Sequence, residues 1–431
     1  MGSGSQSRGP ARAGVLDLLQ LGARLGADAL RGKRADPAAA GSRWARGLMR
    51  RDAGADIDIV LPGKTFEIVG DREHSQRVLS GRPGIDGFVA GATKTRAMSF
   101  LAPEALTIAN GDAWAQLRPF NEQVLGTGGP HQFAQAFLEH VHAAFARPVS
   151  IEADVRAAMG RAMVNIVVGA VSPDEHDPAD DVSVLFDVVQ SPVKRALLGF
   201  WYRGRRARLY DLLARKWQDS SGGPTLIALA RQVAPAADRT TLLNQIPHWM
   251  FTFTGSGTDL LVRTLCMVTS RRAVHEKVLG EIRTAGETGS AETVRHLAYL
   301  EACVLETGRL FPPVTRTFHA SGSAADSSRE LVHYFPLLQR DDRLGPTVHE
   351  FRPERWLAPE LDAAATASNL FLRGPRACPG MDLIIFVCKA AAARQLAELG
   401  LSARQNVLAR DPLPISFPKL DGPFTASREL Q

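Results

Sequence analysis

A cysteine loop that leads directly into an apolar helix constrains this 431-residue chain more than any other feature. The loop is Phe371-Leu-Arg-Gly-Pro-Arg-Ala-Cys378-Pro-Gly380, and the apolar run 381–399 follows at once. A thiolate at a helix N-terminus beside an arginine is expected to have a lowered pKa and to suit a soft metal ion. Gly374 and Gly380 can take backbone angles closed to other residues, so the loop is predicted to curl around the sulfur. The stretch therefore predicts a cysteine ligand presented by a rigid loop.

The spacing of this loop resembles the cysteine-ligand signature of the cytochromes P-450, the haem-thiolate monooxygenases. The matching positions are Phe371, Gly374, Arg376, Cys378 and Gly380. The resemblance implies that Cys378 binds the iron of haem b (heme b, iron protoporphyrin IX). It implies that Phe371 packs near the sulfur and that Arg376 holds a haem propionate. The alternative is a buried, inert cysteine in front of a helix.

The same resemblance implies a fold class, which is mainly α with minor β. In that family the fold is a triangular helical prism with small β-sheets, and the likeness covers most of the chain from about Asp56 onward. Residues 1–12 are small and polar and are predicted to form a disordered tail. Without repeats or a convincing linker, residues 13–431 are predicted to form a single haem-thiolate domain.

Other basic residues match positions that hold the haem in the family. Trp114 and Arg118 stand four residues apart and share a helix face. The resemblance implies that both meet a propionate, for which a guanidinium and an indole N–H are suited. Arg316, on a strand after Pro312-Pro313, is implied at the second propionate. A surface cation–π pair and a solvated loop arginine are the respective alternatives.

A glycine-rich segment within a long helical run, 239–270, carries the predicted oxygen site. Gly255 and Thr258 match the glycine and threonine of the family's oxygen-site motif, which implies that Thr258 manages protons there. The usual acid before the threonine is Gly257 in this chain, and Asp259 lies about 100° further round the helix. Thr254 either holds a water in place of that acid or bonds a backbone carbonyl.

A second set of charges is predicted to be structural. Glu306 and Arg309 are three residues apart on one helix face and match the family's Glu-x-x-Arg pair. Arg355 lies in Phe351-Arg-Pro-Glu-Arg355, which is similar to the segment that completes that pair. Buried charges persist when they are paired and hydrogen-bonded, so the three are predicted to form a lock behind the cysteine loop. Gln339-Arg340-Asp341 is predicted to be structural as well.

Composition limits the function classes. The net charge of +6 is not accompanied by a basic run with interleaved aromatics, which argues against nucleic acid and favours an acidic partner protein. Four cysteines without paired spacing indicate a reducing compartment. No 18-residue apolar run and no signal-peptide core are found, so no membrane anchor and a cytoplasmic location are expected. Forty-three arginines beside 8 lysines are typical of a GC-rich bacterial genome.

Period and turn residues predict the remaining organisation. A β-hairpin is predicted around Pro62-Gly63, a helix from a cap at Asp71, a pocket loop over 82–111 and a second small sheet over 318–336. Further helices are predicted at 15–48, 112–123, 132–145, 151–171, 181–198, 204–219, 223–233, 272–284 and 291–310.

The resemblance to the cytochromes P-450 implies a soluble bacterial haem-thiolate monooxygenase. It would insert one oxygen atom of O2 into a small apolar substrate, in natural-product (secondary metabolite) tailoring. No flavin or iron–sulfur motif is present, so separate electron donors, a ferredoxin and a ferredoxin reductase, are expected. Because Gly257 replaces the acid, a peroxygenase, isomerase or dehydratase is the alternative. A non-catalytic haem sensor is a further one.

Overall fold

The computed structural model describes residues 10–13, 17, 37–52, 56–172, 175–219, 223–234, 239–321 and 328–426. Within these ranges the chain is mainly helical and carries two small sheets, which confirms the predicted class. Residues 1–9 of the predicted tail lie outside the described residues, as does most of 15–36.

The helices are numbered here in chain order. They are α1 (Pro37–Asp52), α2 (Arg72–Ser80), α3 (Ala92–Ser99), α4 (Gly111–Leu125), α5 (Ala134–Ala144), α6 (Glu152–Val167), α7 (Pro178–Gln190), α8 (Pro192–Asp219), α9 (Leu226–Val233), α10 (Arg239–Leu243), α11 (Ile246–Thr252), α12 (Thr258–Thr269), α13 (Arg272–Ala285), α14 (Ala291–Arg295), α15 (Ala298–Leu310), α16 (Phe335–Leu338), α17 (Ala363–Ala367) and α18 (Met381–Ala393). Short 3₁₀ turns lie between them, and π-helical turns occupy Phe253–Gly257 and Arg394–Glu398.

Eight strands form the two sheets. They are β1 (Ala11–Ala13), β2 (Ile57–Leu61), β3 (Lys64–Val69), β4 (Val89–Ala90), β5 (Arg316–Ala320), β6 (Arg329–Tyr334), β7 (Leu401–Ala403) and β8 (Phe424–Ala426). The larger sheet has the order β1-β2-β3-β6-β5-β4, and β7 pairs with β8. Residues 318–336 therefore join the hairpin sheet instead of forming a second one. Residues 11–13 pair with β2, so residues 11 and 12 do not belong to a disordered segment.

Local sequence signals explain several element boundaries. The turn at Pro62-Gly63 joins β2 to β3 with Leu61 opposite Lys64, and Gly63 takes a φ of +72°, which favours glycine. Asp71 caps α2, since its carboxylate accepts from the His74 amide at 2.8 Å. These two predictions are confirmed.

Two segments differ from their predictions. The predicted pocket loop 82–111 instead contains β4, α3 and a 3₁₀ turn. Although this run has no hydrophobic periodicity, it buries Met98 at the end of α3. The helix pair predicted at 181–198 and 204–219 has its break at Ser191 instead, so α8 runs unbroken from 192 to 219.

The main core lies where α6, α12 and α18 meet. Met163, Leu261 and Val387, one from each helix, are fully buried in the same cluster. The helix predicted over 239–270 is divided into α10, α11 and α12, with the π-helical turn directly before Thr258. A π-turn inside a helix is frequent at functional sites, and this one lies beside the start of α18. None of the described helices is both long and apolar enough to cross a bilayer.

Candidate functional site

The cysteine loop is held by its own backbone. The Cys378 amide donates to the Phe371 carbonyl at 2.7 Å, and Phe371 packs against the main core. Gly374 has a φ of +56°, and a Cβ there would lie 3.2 Å from the Leu79 carbonyl of α2. Leu372 also takes a positive φ, of 58°, which the sequence did not predict. Gly380 has an ordinary φ of −97°, so the special geometry predicted for it is wrong.

Burial governs the Cys378 thiol in the protein alone. It raises the pKa of the thiol, while the Gly380 amide and the Arg118 guanidinium act in the opposite direction. The lowered pKa predicted for this cysteine is therefore not found, because desolvation outweighs these two groups. A metal ion bound to the sulfur would remove the proton itself, since a coordinated thiol is deprotonated.

Arg376 lies two residues before the cysteine and carries an unpaired charge. Its Nε and Nη2 atoms are buried and have no hydrogen-bond partner among the described residues. Burial lowers the pKa of Arg376 to about 10. An unpaired buried guanidinium is costly, so its presence indicates a missing anionic partner.

Two further basic residues, Lys94 and His319, are affected by the charge of Arg376. Burial and the charge of Arg376 lower the pKa of Lys94, on α3, to about 8. His319, on β5, is buried, and neither ring nitrogen has a partner in the described part of the chain. Burial, His333, Arg376 and Lys94 together hold the pKa of His319 well below its ordinary value. Lys94, His319 and Arg376 are called the cationic cluster below.

The cationic cluster fits the two propionates of haem. Its members come from a helix, a strand and the cysteine loop, and no carboxylate contributes to the pKa of Lys94, His319 or Arg376. Two carboxylates on one ligand would supply the charge and the acceptors that the cluster lacks. A thiol ligand and a cationic cluster close to the same loop match a metal porphyrin with acidic side chains.

Arg118 of α4 also contacts the cysteine loop. Its Nη1 donates to the Ala377 carbonyl at 2.6 Å, and its Nε pairs with Glu122 at 2.7 Å. Trp114, one turn earlier, is buried beside Leu106 and Leu117. The predicted helix face is therefore present and lies against the loop, and the roles of Trp114 and Arg118 at a propionate stay predictions.

Arg316 is not placed with these residues. Its side chain is exposed at the first position of β5, whereas His319, three residues later, is buried toward Arg376. The role of Arg316 at a propionate stays a prediction, and His319 becomes a further candidate for that role. Sequence analysis missed both His319 and Lys94, because a single histidine or lysine matches no spacing rule. The alternation along 318–336 was the one signal that could have marked His319 as inward-facing.

Thr258 offers an unused hydroxyl. The residue is fully buried, and its Oγ1 has no partner among the residues described. Thr254, one turn earlier, donates to the Met250 carbonyl at 3.0 Å, so it is the backbone-bonded alternative that the structure supports. The Thr254 oxygen can still accept a hydrogen bond from a water, so its catalytic role stays a prediction. The predicted proton group Thr258 remains available to a ligand.

The glycines of this segment are required by packing. A Cβ at Gly255 would lie 2.0 Å from the ring of Phe186 on α7, and one at Gly257 would lie 2.6 Å from Ile384 on α18. The rings of Phe186 and Phe251 lie 4.6 Å apart and are tilted by 41° relative to each other. Because Gly255 has no Cβ, the ring of Phe186 fits against it, in the segment that was predicted to form the oxygen site.

No acid of this segment reaches the threonine. Asp259 pairs with Arg263 at 2.9 Å and with Arg156 at 3.4 Å, as expected from its different helix face. Burial raises its pKa, and both arginines act against that rise. The position normally held by the acid is Gly257, whose carbonyl accepts weakly from Cys388 at 3.9 Å.

The predicted structural lock is present. Glu306 is fully buried and accepts from Arg309 Nε and Nη2, both at 2.8 Å, and from Arg355 Nε at 2.9 Å. The indole N–H of Trp356 donates to the same carboxylate at 2.9 Å. Burial would raise the pKa of Glu306, but the two arginines outweigh it and the pKa is lowered. Arg340 is also fully buried and donates to the carbonyl groups of Leu413 and Pro414.

Comparison with known proteins identifies relatives of this chain. No protein-family model matches it. It is 27% identical over 215 residues to cytochrome P450 monooxygenase 212 of Postia placenta, which covers 42% of this chain and 39% of that protein. It is 28% identical over 156 residues to probable cytochrome P450 6d5 of Drosophila melanogaster, 33% of this chain and 31% of the relative.

A plant relative gives a similar match. The chain is 30% identical over 117 residues to cytochrome P450 94C1 of Arabidopsis thaliana, which covers 24% of each protein. The chain thus spans about a quarter to two fifths of the length of these curated relatives. They are fungal, insect and plant proteins and give no support to the predicted bacterial type. Proteins of this kind carry haem b, in agreement with the predicted cofactor.

Proposed function

Because the chain is a homologue of the cytochromes P450 and has their fold, we propose that it is a haem-thiolate monooxygenase. The observation that carries the proposal is the unpaired cationic cluster beside the Cys378 loop. A ligand with two negative charges would pair with the cluster, and a soft metal ion would bind the thiol. Haem b carries two propionates and an iron ion, so it has both groups.

The residues of the site would divide the work of holding the cofactor. Cys378 would ligate the iron, and the Gly380 amide would stabilise its negative sulfur. Arg376, Lys94 and His319 would bind the propionates. Arg118 would keep the loop in place through the Ala377 carbonyl. When bound, thiolate-ligated haem supplies the oxygen-activating chemistry of such enzymes.

The Thr258 hydroxyl would be a proton donor at the reaction site. Its hydroxyl is buried and free of other bonds, so it can donate to a ligand or to a water. Phe186 and Phe251 would form an apolar wall above it, which suits the predicted small apolar substrate. The same aromatic wall excludes bulk water from the site.

The overall reaction requires external electrons. A substrate C–H bond, O2, two electrons and two protons yield an alcohol and water. The electrons would come from separate donors, for which we propose a ferredoxin and its reductase. The net charge of +6 favours an acidic donor protein. Natural-product tailoring, a cytoplasmic location and a bacterial source are parts of the proposal that rest on sequence resemblance and composition alone.

One observation favours a second candidate function. Asp259 is committed to Arg263 and Arg156, Thr254 to a backbone carbonyl, and Gly257 stands where an acid is usual. Without a carboxylate next to Thr258, proton delivery during O2 use has no route through these side chains. A peroxide-using enzyme needs no such delivery from O2, so a peroxygenase is the alternative.

Turnover of one substrate under two regimes separates the candidates. The protein would be screened for small apolar compounds that shift its spin state, and the best would be supplied with O2, ferredoxin, reductase and NADPH, or with hydrogen peroxide alone. Product from the first mixture is expected for a monooxygenase. Product from peroxide alone, and none from the first mixture, would replace it by the peroxygenase.

A further inference from the structure

A cluster of metal-ligating side chains lies apart from the cysteine loop, at the edge of the larger sheet. Asp56 stands directly before β2, Glu67 lies on β3 and His74 lies in the first turn of α2. His74 Nδ1 is 2.8 Å from Asp56 Oδ2 and 3.6 Å from Glu67 Oε1. One ligand atom from each residue thus converges within 4.8 Å of the others.

The second oxygen of each carboxylate is already held in place. Asp56 Oδ1 accepts from the backbone amides of Gly70 at 2.8 Å and Asp71 at 3.1 Å. Glu67 Oε2 accepts from the Arg329 Nε at 3.0 Å. Each carboxylate therefore turns one fixed oxygen toward His74, as outer partners do around metal ligands.

The cluster has an excess of negative charge. Arg329 of β6 pairs with Glu67 and also with Asp58, at 2.8 Å. The carboxylates of Asp56, Asp58 and Glu67 carry three negative charges, and Arg329 carries one positive charge. With a neutral His74, the net charge of the group is −2. The hydrogen bond to Asp56 raises the pKa of His74, so a metal ion bound there would take the place of the ring proton. A divalent cation would balance the group.

We propose that Asp56, Glu67 and His74 form a site for a transition-metal dication of the zinc class. One imidazole and two carboxylates are ligands that Zn²⁺ accepts, and bonds of about 2.0–2.1 Å would place neighbouring ligand atoms about 3.4 Å apart. The observed 2.8 and 3.6 Å separations bracket that value. Asp56 and His74 are partly exposed and Glu67 is buried, so a water can complete the tetrahedron from the side of Asp56 and His74. Mg²⁺ and Ca²⁺ prefer more oxygen ligands and would bind poorly.

Metal at this site would tie three elements together. It would join the segment before β2, strand β3 and helix α2, and the end of α2 lies against Gly374 of the cysteine loop. The site is independent of the proposed oxygenase function, because none of its residues belongs to the cationic cluster or the loop.

Zinc stoichiometry measured on the full chain, with its cofactor, tests the proposal. The protein would be stripped with a chelator, equilibrated with ZnCl₂ by dialysis and analysed by elemental mass spectrometry. One zinc per chain is expected in the wild type, with affinity at least about tenfold lower in both His74→Ala and Asp56→Asn. MgCl₂ serves as the control ion and should not bind.

The matched control variant is His176→Ala. His176 also pairs with an aspartate, Asp181, at 3.1 Å, but two arginines, Arg205 and Arg208, occupy the same carboxylate. Its removal should leave zinc binding unchanged. Should the site variants fold poorly, a zinc-dependent rise in the melting temperature of the wild type gives a second measure. No bound zinc and no such rise, or equal loss in His176→Ala, would identify the cluster as an ordinary ion-pair network.

Discussion

The group of charged side chains around Glu306 and the cationic cluster differ in whether their charges are paired. Around Glu306, each charge meets a partner, since Arg309, Arg355 and Trp356 all donate to the one carboxylate. In the cationic cluster, Arg376 and His319 have buried nitrogen atoms that find no partner among the described residues. Glu306, Arg309 and Arg355 are buried, whereas Lys94 and Arg376 are only partly buried. In both groups, the charged atoms that lie inside the protein cost free energy to desolvate.

This difference separates a structural group from a binding group. A fully paired cluster is complete in the protein alone and can only stabilise the fold. An unpaired cluster is incomplete until a ligand of opposite charge arrives. The cationic cluster is thus the part of the molecule that requires a cofactor, and the Glu306 group is a structural group.

The largest effect is expected at the paired group. Glu306→Gln would leave Arg309 and Arg355 buried without their anion, and we expect the free energy of unfolding to fall by about 3–5 kcal/mol. Urea denaturation followed by circular dichroism measures it. Glu292→Gln, which alters an exposed pair with Arg295, is the control and should change little. A wild-type-like midpoint for Glu306→Gln would remove the distinction between the two groups.

A pair of arginine variants sharpens the comparison. Arg340→Leu would leave the carbonyl groups of Leu413 and Pro414 unsatisfied, and a loss of about 3 kcal/mol in the haem-free protein is expected. Arg376→Leu removes an unpaired charge, so the haem-free protein should be unchanged or stabilised by about 1 kcal/mol. Haem retention on gel filtration should fall in Arg376→Leu. Destabilisation of the haem-free Arg376→Leu variant would mean that Arg376 has a protein partner.

The two groups should also respond to pH in different windows. Burial lowers the pKa of His333, beside His319, from 6.5 to about 4, so the unfolded chain binds more protons between these values. Stability contributed by the neutral rings is complete above about pH 6.5 and falls as the pH decreases toward about 4. The lowered pKa of Glu306 gives stability above about pH 4.5 that is lost only at lower pH.

Urea midpoints of the haem-free protein at about pH 7 and pH 5 measure the first window. His333 alone is expected to lower the free energy of unfolding by about 2 kcal/mol between these pH values, and His319 adds to that decrease. The double variant His319→Gln, His333→Gln should show a smaller decrease. Bound haem should also reduce it, because a propionate would favour the charged form of His319. An equal decrease in all three samples would exclude these histidines as its cause.

The smallest stability effect is expected at Thr258. Its hydroxyl has no partner among the residues that the structure describes, so Thr258→Val should change the free energy of unfolding by less than about 1 kcal/mol. Product formed per electron consumed should fall by about tenfold or more. Thr254→Val, which loses only a bond to Met250, is the control and should keep its yield. Similar yields for both variants would deny Thr258 a proton role.

Spacing predicted the paired group better than the unpaired one. Glu306, Arg309 and Arg355 were found because they match a buried charge group of the family that the chain resembles, whereas their spacing alone would also fit an exposed ion pair. His319 and Lys94 were missed because their proximity to Arg376 depends on how β5 and α3 pack, which no local rule encodes. Arg316 was chosen because it matches a basic strand residue of that family, and in the structure it is exposed at the first position of β5. The close packing of Gly255 against Phe186 and of Gly257 against Ile384 is a tertiary contact, which no local pattern predicts.

The absorption spectrum of the reduced protein under carbon monoxide tests the central claim most directly. It would be recorded for the wild type, for Cys378→Ser and for Cys388→Ser, the last being a buried cysteine of α18 without a proposed ligand role. A strongly red-shifted Soret band is predicted for the wild type and Cys388→Ser, and its loss for Cys378→Ser. No haem band in the wild type, or a band that survives in Cys378→Ser, would contradict the thiolate site and the function proposed from it.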